Sequence, residues 1–208
     1  IEVFKLGFGQ SPFPVPESIV QALKNNAHQK DYLPVKGLLK LRQEVASFFN
    51  RNYNLSSTKD NIIIGPGSKE LIFNFQLVYN IDELLLPTPS WVSYEPQANL
   101  VNKKTIWLNT TESENWLLDP EVLELACAEN PNAKLLILNY PNNPTGATFS
   151  GKQFAALASV LRKHNVVVIA DEIYSETDHN GDHESLATYY PEGTIVSSGL
   201  SKWAGAGG

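Results

Sequence analysis

Two strand-length stretches of this chain, residues 135–138 (LLIL) and 166–170 (VVVIA), are apolar from end to end, and residues 194–197 (TIVS) make a third run. A strand with one wet face alternates apolar and polar side chains. A strand without alternation is buried on both faces, which happens when helices cover both sides of a mainly parallel sheet. The expected class is therefore α/β. Shorter runs at 62–64, 83–86 and 105–108 read as further strands. Helices are expected over 17–29, 36–53, 68–78 and 150–164. In the second, Leu38, Leu41, Val45 and Phe48 recur at three- and four-residue steps. The last opens with Ser150 and Gln153 in a capping-box pattern.

In parallel sheets of this kind, functional residues gather where strands end. Polar clusters at 65–69, 139–146, 171–174 and 198–202 directly follow strand runs. They are expected to meet along one edge of one sheet.

Composition narrows the partners. The chain has 208 residues, 42% of them hydrophobic, enough for a sizeable core. Its 22 acids outweigh 16 bases for a net charge of −6, and no basic block suited to nucleic acid is present. The single cysteine, Cys127, sits in a helix-like ELACAE stretch and reads as a core residue. It rules out an internal disulfide and suits a reducing, cytoplasmic setting. No apolar run approaches the ~20 residues of a membrane helix. His179 and His183 flank an Asn-Gly-Asp turn and read as solvated loop residues, not metal ligands. The first residue is Ile1, there is no methionine, and the chain closes on AGAGG. Both ends are expected to be cut points of a longer chain.

Each cluster carries a chemical option beside a bland one. Asp171 ends a buried strand, where a charge is costly unless paired. It either caps a turn or faces a cationic ring nitrogen. Lys202, past another strand end, is either an ordinary surface lysine or a partly desolvated amine suited to Schiff-base chemistry. The turn-forming run Asn-Tyr-Pro-Asn-Asn-Pro-Thr-Gly (139–146) is either a plain loop or a rigid mount that holds the Asn143 amide over the sheet edge. The run Gly-Pro-Gly-Ser-Lys-Glu (65–70) joins a glycine turn to a helix N-terminus, which suits a phosphate. It lacks the spacing and residue order of an ATP-binding loop. Trp91 is either a core residue or a stacking face for a planar ring.

Taken in order, these motifs resemble the class I/II aminotransferases, the fold type I enzymes that depend on pyridoxal 5′-phosphate (PLP). The resemblance spans nearly the whole chain. It rests on Y-x-P-x-x-G-x-x-x-L-R at 32–42, G-S-K at 67–69, P-S-W-x-S-Y at 89–94, N-N-P-T-G at 142–146, A-D-E-I-Y at 170–174 and S-x-L-S-K at 198–202. It implies a fold type I architecture with an N-terminal arm and small-domain segment at 1–30. A large PLP-binding domain at 31–208, incomplete at its C-terminal end, follows. It implies that Lys202 bonds the cofactor and moves the Cα proton, and that Asp171 pairs with the pyridine nitrogen. Asn143 and Tyr174 would hold the ring oxygen, and Trp91 would stack on the ring. Ser68 and Lys69 would hold the phosphate with Ser201 and Ser198. Tyr32 would reach a phosphate in the neighbouring subunit of a homodimer. Gly9 lies where the family's N-terminal loop nears substrate, beside Trp91 and Asn143.

The resemblance thus implies transfer of an amino group between an L-amino acid and a 2-oxo acid, most like the aspartate and aromatic branches. Two arginines of the family, one binding phosphate after the lysine and one clamping the substrate carboxylate, fall beyond Gly208. The segment alone is therefore expected to be inactive or nearly so. A PLP-dependent lyase or synthase on the same scaffold is the first rival. A non-catalytic aminotransferase-like sensor domain is the second.

Overall fold

A computed structural model describes residues 11–207. Gly9 and the rest of the opening lie outside the described residues. In chain order the elements are α1 (Glu17–Asn26), α2 (Leu39–Tyr53), α3 (Ser68–Val78), β1 (Glu83–Thr88), α4 (Tyr94–Leu100) and β2 (Lys104–Asn109). They continue with α5 (Pro120–Glu129), β3 (Leu135–Asn139), α6 (Gly151–His164), β4 (Val167–Asp171), α7 (Leu186–Tyr189) and β5 (Thr194–Ser197).

The strands form one parallel sheet in the order β2-β1-β3-β4-β5. Alternate side chains divide between two cores. Leu84, Leu86, Leu135, Ile137 and Ile169 pack with Ile72 of α3 and with Tyr94 and Ala98 of α4. Leu85, Leu136, Leu138, Val168 and Ala170 pack on the other face with Leu123 and Cys127 of α5 and with Phe154, Leu157 and Leu161 of α6. The unbroken apolar runs are thus explained by burial on both faces, each fully buried leucine contributing about 2 kcal/mol. Cys127 belongs to this core, and burial pushes its thiol up to about 11, so it stays protonated.

Local chemistry sets the element ends. Gln153 Oε1 accepts from the Ser150 N–H at 2.9 Å and from its hydroxyl at 2.8 Å, fixing the start of α6. Asp119 accepts from the Glu121 N–H at 2.6 Å, with Pro120 in the first turn, and starts α5. Asn54 and Asn165 adopt left-handed conformations after α2 and α6.

Three sequence expectations need correction. Residues 62–64 form no strand: Ile64 donates to the Lys36 carbonyl at 3.1 Å, while Ile63 is exposed and no described strand lies alongside. The second helix begins at Leu39, not at residue 36, because Gly37 turns the chain with φ +96°. A Cβ on Gly37 would sit 2.6 Å from the Ile64 Cβ, so the close approach itself demands glycine. Arg42 then ties this turn down, donating from Nε to the Gly37 carbonyl at 3.2 Å and from a terminal nitrogen to Lys59 O at 2.8 Å. The first helix stops at Asn26, short of residue 29, and buries none of its residues.

Candidate active site

Parallel pairing sets Asn139 opposite Asp171 and Asp171 opposite Ser197, so the strand ends are flush. The order of strands reverses at β1, with β2 on one side and β3 on the other. Such a reversal opens a crevice at the carboxyl ends. There lies an open cavity of about 560 Å³. Trp91 lines it from the turn after β1, Asn139 and Asn143 from the end of β3, and Asp171 and Tyr174 from the end of β4. Ser201 and Lys202 enter from the turn after β5, and Ser68 and Lys69 from the N-terminus of α3. All four polar clusters therefore meet, although the first arrives through an irregular loop and not from a strand.

Asp171 is deeply buried in the wall, only 2% exposed. Its Oδ2 accepts from the Tyr94 hydroxyl at 2.6 Å. Its Oδ1 has no hydrogen-bond partner among the described residues. Burial is the main cause that pushes this carboxyl up to about 6. The Tyr94 hydrogen bond and the Ile173 backbone N–H pull it down, Glu172 pushes it up, and Lys202 pulls it down. The Ile173 N–H acts without completing a bond of normal geometry to Oδ1. Tyr94 itself is held protonated by burial and by the adjacent acid.

Asn139 braces the wall: its amide donates to the Asp171 carbonyl at 2.8 Å and accepts from the Asn143 N–H at 2.7 Å. The Lys202 amine lies 5.5 Å from the Tyr174 ring centre. The Lys69 amine lies 5.5 Å from that of Trp91, whose plane stands edge-on to Tyr94 at 5.3 Å.

Behind Asp171 sits Glu172, fully buried. Its Oε1 accepts from the Tyr140 hydroxyl at 2.7 Å and the Ser185 hydroxyl at 2.6 Å, and His183 Nε2 lies 3.2 Å from Oε2. His183 is thus not a solvated loop residue. Its side chain is 5% exposed and stacks on Tyr140. Carboxylate pairing and ring stacking override the polar turn beside it. His179 is exposed, as expected.

Two expected site residues lie off this cavity. Ser198, half-buried, follows β5 without lining it, and Tyr32 is fully exposed. Conversely, sequence reasoning gave no role to Tyr94 or Asn139, though both stood inside quoted motifs. Ser11 and Phe13, ahead of α1, also line the cavity.

The family model described as aminotransferase class I and II matches residues 1–208. The chain belongs to this family. It is 32% identical over 210 residues to the aspartate aminotransferase of Bacillus subtilis (strain 168), covering 97% of this chain and 53% of that one. It is 35% identical over 206 residues to the probable N-acetyl-LL-diaminopimelate aminotransferase of the same organism, covering 97% and 52%. Among solved structures, the aspartate aminotransferase from Thermus thermophilus with maleate superposes with a TM-score of 0.88 at 31% identity, over 95% of this chain and 54% of that one. The chain spans about half the length of the curated relatives it matches. Fold type I architecture accords with these neighbours.

Proposed function

We propose that the cavity holds pyridoxal 5′-phosphate and that the protein moves an amino group between an L-amino acid and a 2-oxo acid. One observation carries the reading: a buried carboxylate, of a residue that lines the same cavity as Lys202, keeps Oδ1 without a hydrogen-bond partner among the described residues. A protonated ring nitrogen is the partner that such an oxygen lacks, because burying an unpaired charge is costly. Bound there, the cofactor supplies an electron sink that acidifies the Cα–H of an attached amino acid.

The chain's residues divide the remaining work. Asp171 holds the proton on the ring nitrogen. Asn143 and Tyr174 hold the ring oxygen, and Trp91 covers the ring face. Ser68, Lys69 and Ser201 take the phosphate at the N-terminus of α3, where backbone N–H groups and the helix dipole favour an anion. Lys202 Nζ is the nucleophilic amine and the base that takes the Cα proton. Trp91 and Asn143 border the substrate. Residues 31–208 act as the cofactor-binding unit and 1–30 as the arm and small-domain segment. Tyr32, exposed and away from this cavity, serves the phosphate of a neighbouring subunit in a homodimer. Relatives named aspartate and aspartate/prephenate aminotransferases, and a solved structure named an aromatic aminotransferase, support acidic or aromatic amino acids as the substrates here.

The test is chemical. The chain is treated with pyridoxal 5′-phosphate and borohydride, digested and mapped. The cofactor is expected on Lys202, and Lys202→Ala should abolish fixation. Fixation spread over other lysines, or undiminished in that variant, would refute the reading. In the full-length protein, oxo acid should form from aspartate or an aromatic amino acid only when a 2-oxo acid acceptor is present. Acceptor-independent ammonia release would point to a lyase.

A further inference from the structure

We infer that Tyr94 is a positioning residue that acts through Asp171: it occupies Oδ2 from within the core and thereby reserves Oδ1 for a cationic ring nitrogen in the cavity. This deepens the reading above and rests on it.

The geometry is specific. Tyr94 opens α4 and is 1% exposed, its ring packed among Ile72, Leu84, Leu86, Ile137 and Ile169. A buried tyrosine hydroxyl needs a partner, and here the partner is Asp171 Oδ2 at 2.6 Å. With its ring wedged between helix and sheet, the hydroxyl has one direction to point. The carboxylate plane is then set by two constraints, the strand backbone and this bond. Asn139 fixes the backbone side by accepting no slack there: its amide bridges the Asp171 carbonyl and the Asn143 N–H.

The bond also sets charge. A donor to the ionised carboxylate favours the ionised form, against the burial that opposes it. Without the hydroxyl, the Ile173 backbone N–H and the Lys202 charge are left to oppose burial, and the largest influence favouring the ionised carboxylate is gone. The same ring meets Trp91 edge-on, so one residue orients two walls of the cavity.

The decisive variant is Tyr94→Phe, which keeps the ring and deletes the donor. Two measurements read it. In the cofactor-free chain, carbon NMR of aspartate carboxyls follows the titration of Asp171, assigned by its loss in Asp171→Asn. The midpoint is expected to rise by about one pH unit in Tyr94→Phe. In the second, made at pH 5, below both midpoints, the dissociation constant for pyridoxal 5′-phosphate is expected to rise about tenfold in Tyr94→Phe, because a midpoint one pH unit higher leaves about a tenth as much ionised carboxylate to pair with the ring. In the Asp171→Asn background, the same change should add nothing, because the route through Asp171 is gone. An unchanged midpoint overturns the inference, as does a tenfold loss that persists beside Asp171→Asn. If wild-type chain fails to bind pyridoxal 5′-phosphate, the proposed function falls, while the cofactor-free titration still decides the role of Tyr94. Far-ultraviolet circular dichroism establishes that each variant is folded.

Discussion

Replacing Asp171 by asparagine should stabilise the cofactor-free chain at alkaline pH, and the size of the effect follows from the site. Folding raises this carboxyl from 3.8 to about 6, chiefly by burial. The difference of about 2.2 pH units corresponds to about 3 kcal/mol. The native state binds the proton more tightly than the unfolded one, so stability falls as pH climbs from about 4 through about 6. Above that window the full penalty is present, and below about 4 it is gone. Asparagine is neutral throughout and can still accept from Tyr94. Asp171→Asn should therefore exceed wild type by as much as ~3 kcal/mol at pH 8, with the gap closing near pH 4. Urea denaturation followed by circular dichroism at both pH values reads the difference directly. A variant no more stable than wild type at pH 8, or a gap independent of pH, would refute the argument. Adding pyridoxal 5′-phosphate should reverse the ranking at pH 8, since a cationic ring pairs with the carboxylate and not with the amide.

Two further substitutions probe the scaffold. Tyr140→Phe removes a donor to Glu172 and the acceptor of the Leu186 N–H at 3.0 Å. It should cost about 2–4 kcal/mol in chemical denaturation, because the buried Leu186 N–H is orphaned and the buried Glu172 loses one of its donors while keeping Ser185. Gly37→Ala places a Cβ against Ile64 at a φ of +96° and should cost about 2–3 kcal/mol. A thermal midpoint lower by roughly 5–10 °C is the expected readout for a chain of this size.

The sheet was readable because burial on both faces leaves a mark on every residue of a strand, as in residues 135–138 and 166–170. The clusters after those strands were readable for the same reason, since polar residues interrupt the runs where the chain leaves the core. Residues 62–64 misled because three isoleucines look alike whether they join a ladder or lie beside a turn. The Gly37 approach that decides the matter is a contact between distant residues. Tyr94 and Asn139 were visible as letters in motifs, but their roles depend on what faces them across the sheet. Tyr94 sits 77 positions from Asp171, and no periodicity links the two. His183 failed in the opposite sense: its neighbours in sequence are turn formers, whereas its neighbours in space are Glu172 and Tyr140.

Asp171 and Glu172 make the strongest internal comparison in the molecule. They are adjacent acids at the end of one strand, both buried, and they point to opposite faces of the sheet. On the Glu172 side, three side chains converge: two hydroxyls and an imidazole. On the Asp171 side, one hydroxyl takes Oδ2 and nothing described takes Oδ1. A chain that satisfies one acid so fully is not short of donors at its neighbour. The contrast separates structure from site. Glu172 holds Ser185 and His183 against Tyr140, just past β3, and Asp171 retains an unpartnered acceptor in a residue that lines the same cavity as Lys202. If Asp171 were merely a capping residue, its burial would raise the cost of folding with no return, and Asp171→Asn would be tolerated by every property of the protein. The proposal requires instead that the same substitution strengthen the fold and weaken cofactor binding, two effects of opposite sign from one carboxylate.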